Sequence, residues 1–148
     1  LRRHFDASQK AFLEAVRLRE ETATATHPNY ADAVKGLATV DAVEGDLTSA
    51  TLRAERALEI LDNSVVPTHP RTAHHLVALA SLYRMTDQNE KAAALDARLE
   101  TILEKPLGPW KEDFLETMAF YADLLRKSGK SAEAAHLDEL FERQKDKR

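Results

Sequence analysis

His69, His74 and His75 lie close together in the chain and are the residues whose types most invite a chemical role, as nitrogen ligands to a metal ion. Their spacing argues against it. Neighbouring helical residues such as His74 and His75 point about 100° apart, and neither has a His, Asp or Glu three or four residues on. The chain has no cysteine, which removes thiolate ligands and a thiolate nucleophile together. It also lacks a GxSxG elbow, a phosphate-binding glycine loop and an HExxH helix. Acidic residues abound, but the helical pattern below puts them on exteriors, where a charge is ordinarily a solvated face. No catalytic residue, metal site or cofactor is expected. His27 and His69 each precede a proline, Pro28 and Pro70, and read as helix caps with the proline in the first turn. Trp110, the only tryptophan, stands in the connection 105–111 with Pro106, Gly108 and Pro109. It is expected to cover the join between two helical pairs, with a partner-binding hot spot as the alternative.

The elements that hold these residues follow from composition and repetition. A length of 148 residues suits one domain. Helix formers dominate, with only 4 Gly and 5 Pro to interrupt them. With 21 basic and 25 acidic side chains the net charge is -4, which gives no single-sign field, so neither nucleic acid nor a membrane surface is expected as a partner. No apolar run approaches the ~20 residues that span a bilayer. The chain opens Leu1-Arg2-Arg3-His4, without methionine and already helical in pattern, and so reads as a piece of a longer protein. Lack of cysteine fits oxidising and reducing compartments alike, and the compartment stays open, with the cytoplasm weakly favoured.

Self-comparison gives the organisation. Thr26-His27-Pro28 returns as Thr68-His69-Pro70, a stride of 42 residues that also aligns Ala38, Ala80 and Ala122, then Gly45, Asp87 and Gly129, then Ala50, Ala92 and Ala134. Each copy holds two helical stretches. The first helices are expected at 28–44, 70–86 and 111–128, and the second at 47–61, 90–103 and 131–144. Gly45 and Gly129 should end helices, while Asp46, Asn89 and Ser131 should cap the next ones. The short turns force each pair antiparallel. Residues 5–21 fit the scheme as an orphan second helix, giving seven helices. The expected division is 1–26 for that helix and its loop, then 27–68, 69–110 and 111–148 for three repeats within a single domain.

The pattern Val34-x2-Leu37-Ala38, Leu76-x2-Leu79-Ala80-x2-Tyr83 and Met118-x2-Tyr121-Ala122-x2-Leu125, followed by Ala50, Ala92 and Ala134, resembles the tetratricopeptide repeat. The 42-residue unit and the His-Pro before two first helices resemble the kinesin-light-chain type. Asp41 at the Tyr83 position, Lys111-Glu112 in place of His-Pro, and Ala54, Asp96 and Asp138 at the family's aromatic position depart from it. The resemblance covers about residues 27 to 145. It implies an all-α, right-handed α-α superhelix of about three and a half hairpins, acting as a non-enzymatic scaffold with a protein or peptide ligand in its concave groove. The positions it maps to that groove are Asp32, Lys35, Thr39 and Ala42; His74, Val77, Ser81 and Arg84; and Glu116, Ala119, Asp123 and Arg126. On this mapping Arg84→Glu should abolish capture without unfolding the chain, and Ala42→Leu should be nearly silent. Of the positions some relatives use to clamp a chaperone's C-terminal carboxylate, Lys35 matches, whereas Thr39, Ala78, Glu116 and Phe120 do not. Other readings remain: a structural or self-associating module, with a homo-oligomer formed through helix 5–21, or a regulatory accessory domain of a larger enzyme or sensor.

Overall fold

The structure of the protein, a computed structural model, describes residues 27–147. The helix expected at 5–21, and with it the proposed oligomer contact, lies outside the described residues. Within them are six α-helices and no strand: α1 (Pro28–Val43), α2 (Leu47–Ser64), α3 (Ala73–Met85), α4 (Asn89–Ile102), α5 (Lys111–Lys127) and α6 (Ser131–Lys145). No described helix is long and apolar enough to cross a membrane. All six helices fall where the repeat places them, to within a few residues at their ends. Two short 3₁₀ turns refine that picture: Pro70–Thr72 precedes α3, and Gly108–Trp110 precedes α5.

Helix ends follow local chemistry. The His27 Nδ1 accepts from the Asn29 N–H at 3.1 Å and the His69 Nδ1 from the Arg71 N–H at 3.0 Å, as expected of capping histidines. Asp46 accepts from the Ser49 N–H at 3.1 Å, and those hydrogen bonds hold its carboxyl below the usual range. Asn89 and Ser131 do not cap: the capping residues are Gln88 and Lys130, neither bonding through its side chain. The turns keep the register of the first hairpin, where Asp46 caps, so Asn89 and Ser131 fall on the first helical residue, one position past the cap. Gly45, Asp87 and Gly129, one period apart, all take left-handed backbone, with φ of 87°, 59° and 80°. Aspartate is among the few non-glycine residues that visit this region.

The chain divides into two compact units between Pro67 and Thr68. In the first, α1 and α2 form an antiparallel hairpin whose core joins Tyr30, Ala31 and Val34 to Ala57, Ile60 and Leu61. Asp41, at the Tyr83 position, is buried with its Oδ2 3.0 Å from Arg53. Burial pushes the Asp41 carboxyl above its usual 3.8; Arg53 pulls it back, while Asp46 and Glu44 add to the rise. A carboxyl whose folded pKa is raised favours the fold most when protonated, and this contribution is lost as pH rises through that pKa. Asp41→Asn should therefore gain stability relative to the parent chain between about pH 3 and pH 7. Urea midpoints measured across that range would test this, and a constant difference would refute it.

The second unit holds two hairpins, α3–α4 and α5–α6, with the first helices α3 and α5 packed on one another. Across both units, Ala38, Ala80 and Ala122 and their partners Ala50, Ala92 and Ala134 are all buried. Methyl side chains at these positions let paired helices approach closely. The two turns of the second unit are tied together: Lys130 Nζ reaches Asp87 at 2.7 Å, and the Ser128 hydroxyl lies 3.7 Å from the Met85 sulfur. Trp110 is half-buried, with Arg71 4.8 Å above its ring and the His69 ring 6.3 Å away, so it covers the join between the hairpins as expected. Lys111 Nζ donates to the Lys145 carbonyl at 3.0 Å and to that of Lys147, satisfying carbonyls at the end of α6.

Candidate functional site

The positions mapped to a groove do not form one open stripe. In the first unit Asp32, Lys35 and Thr39 are half-buried, and the Thr39 hydroxyl is turned back onto the Lys35 carbonyl at 3.1 Å. In the second, His74, Val77 and Ser81 are only 4%, 2% and 1% exposed, which corrects their assignment to a solvent-facing surface. The physical reason is the place of α3. Every residue from 72 to 83 is buried, and α3 has α4 along one side and α5 along another. Val77 and Ser81 line a small cavity of about 20 Å³ with Leu99 of α4 and His136, Leu137 and Leu140 of α6, so this face of the second hairpin packs against the third. The His74 and His75 rings lie 4.4 Å apart.

Arg84 and Arg126, one period apart, are engaged as well. Arg84 forks onto Asp96 of α4, its Nη1 3.4 Å from Oδ1 and its Nη2 bonded to Oδ2. Arg126 pairs with Asp138 of α6 through its Nη2 and Oδ2. In the first hairpin the equivalent residues are Ala42 and Ala54, both buried, and the interhelix pair moves back one residue to Asp41–Arg53. Each hairpin is thus clipped by one ion pair between residues twelve apart, with the charges reversed in the first. Arg84 and Asp96 recur in the sequence as Arg126 and Asp138, and it is the antiparallel packing of each hairpin that brings the members of each pair together.

Arg84→Glu is consequently a stability variant and not a clean binding probe. The new carboxylate would meet Asp96, at a cost of about 1–2 kcal/mol for so sheltered a position. Adding Asp96→Arg should restore most of the loss, which paired denaturation curves would show. A double variant no better than the single one would mean that the pair contributes nothing.

Of the mapped residues, the third hairpin leaves Glu116, Ala119, Asp123 and Arg126 exposed. Spacings of three and four place them on one side of α5. Asp123 is 3.0 Å from Lys127 in the next turn. Beside them Glu112, Leu115, Glu116 and Ala119 meet Phe141 of α6 around an open depression of about 300 Å³. Leu115 and Phe141 are half-buried, an apolar floor with an acidic rim. Neither belongs to the mapped set, which follows the first helix of each pair, whereas the depression is built from two helices. No protein-family model matches the chain, and no curated protein matches it.

Proposed function

We propose that the chain is a tetratricopeptide-like helical scaffold, its hairpins stacked as a solenoid, which binds a protein or peptide segment and catalyses no reaction. The observation that carries this reading is the burial of alanine at all six crossing positions, at constant stride, in three antiparallel hairpins. Small residues at every crossing suit hairpins that stack at a fixed stride, and a stack of that kind offers one continuous surface. A scaffold uses such a surface by presenting side chains at fixed intervals along it. The exposed mapped residues of α5 are Glu116 and Ala119, with Asp123 and Arg126 each already in an ion pair, and a ligand would meet the first two most directly.

A display selection of random peptides against the immobilised 148-residue chain tests the reading directly. Enrichment of a sequence class whose binding saturates in solution is expected, and selection that returns no saturable binder would sink it. The acidic side chain of Glu116 also argues against the C-terminal carboxylates of chaperones, since like charges repel at the position where that clamp needs a lysine. An EEVD-type peptide titrated by calorimetry should give no heat of binding. Micromolar affinity would overturn that expectation.

A further inference from the structure

The exposed flank of the third hairpin has a counterpart one period earlier whose occupant is visible. On the second hairpin, Val77 and Leu99 share their cavity with Leu137 and Leu140 of α6. That part of the flank is therefore met by α6, a helix carrying two leucines three residues apart, while α5 packs along α3. One period on, the equivalents of Val77 and Leu99 are Ala119 and Phe141, which open with Leu115 onto the depression of about 300 Å³. The same surface thus recurs, with room for the same kind of occupant.

Its rim differs in one consistent way. Glu112, Glu116 and Asp123 stand where the second hairpin has Pro70, His74 and Ser81, so three carboxylates replace three residues that carry no negative charge. Lys127 offsets Asp123 within α5, and Arg126 is matched by Asp138. Lys111, the cation nearest in sequence to Glu112, is directed at the carbonyls ending α6. Glu112 and Glu116, both exposed, remain as the net charge beside the apolar floor.

We propose that this flank is the docking site for an amphipathic helix of a partner protein. The helix would present two apolar side chains three residues apart, with lysine or arginine beside them. This deepens, and rests on, the scaffold reading above. Apolar anchors at that spacing would bury Leu115 and Phe141 as Leu137 and Leu140 bury Val77 and Leu99, the helix-in-groove mode of recognition. The basic side chains would meet Glu112 and Glu116 at the rim, where complementary charge selects the partner and speeds encounter.

The probe is a synthetic helical peptide whose apolar face copies Leu137 and Leu140 and whose flanking positions are lysine. A second peptide carries glutamate at those positions. Each is titrated into the isotope-labelled 148-residue chain and followed by amide chemical shifts. Shifts are expected to gather at residues 112–119 and around Phe141, with the lysine peptide binding at least about tenfold tighter than the glutamate peptide. Glu112→Lys with Glu116→Lys should erase that preference. Both positions are exposed, so circular dichroism should show the helices intact. Ala119→Arg should block both peptides.

Equal affinity of the two peptides, or shifts centred elsewhere, would overturn the assignment. So would a concentration-dependent dimer dissolved by Ala119→Arg in light scattering, which would give the flank to a second copy of the chain. If the display selection still yields binders while the flank stays silent, the scaffold reading survives and this inference falls. If neither gives binding, both fall.

Discussion

Phe114→Ala is expected to lower unfolding free energy by about 3–5 kcal/mol, the largest single loss among the substitutions considered. The ring is fully buried near the start of α5, and the residues one and two periods earlier, Thr72 and Tyr30, are buried too. Removing it takes away apolar contact and leaves a void that close-packed neighbours fill only in part. Against the 5–15 kcal/mol that typically separates folded from unfolded chains, such a loss leaves little reserve. Phe120→Ala is the comparison. Phe120 is half-buried, its ring edge-on to Tyr121 at 4.9 Å, so its truncation should cost markedly less. Chemical denaturation of both variants tests the ranking, and equal losses would contradict the placement of the core.

Enlarging the crossing alanines has the opposite geometry and the next largest effect. Ala80→Leu and Ala122→Leu each insert a branched side chain where two helices meet over methyl groups, at about 1–3 kcal/mol. Ala42→Leu belongs with them. The sequence placed Ala42 on an open face, but it is buried, as is its equivalent partner Ala54, where the other hairpins place their arginine and aspartate. Bulk there has nowhere to go. Ala135→Leu, on the exposed side of α6, should leave the denaturation midpoint nearly unchanged. A silent Ala42→Leu beside costly changes at Ala80 and Ala122 would refute its burial.

The fold was more legible in the sequence than the site was, for a physical reason. Helix positions depend on local periodicity and on end signals that act within a few residues: His27, His69 and Asp46 cap where their types suggest, and Gly45 and Gly129 turn the backbone. Even the caps that failed, Asn89 and Ser131, missed by one residue, because the left-handed turn fixes the entry to the next helix and leaves their side chains beyond reach of its free N–H groups. Exposure is not local. His74, Val77 and Ser81 carry the polarity or small size of surface residues, yet α3 is enclosed by its neighbours, and only the packing of whole helices reveals it. Arg84 and Arg126 look like free cations until Asp96 and Asp138 are seen across the hairpin. Conversely, Leu115 and Phe141 are ordinary apolar residues taken singly, and the depression they floor is formed only where side chains of α5 and α6 come together.

The shared left-handed backbone at Gly45, Asp87 and Gly129 has a consequence for the chain as an assembly of interchangeable parts. Excising residues 88–129 would splice Asp87 to Lys130, two ends already shaped for the same bend, and join α3 directly to α6. The spliced chain would again carry an aspartate, Asp138, twelve residues after Arg84, so the clip between helices would re-form. A whole period can thus be gained or lost at this bend without inventing a new connection.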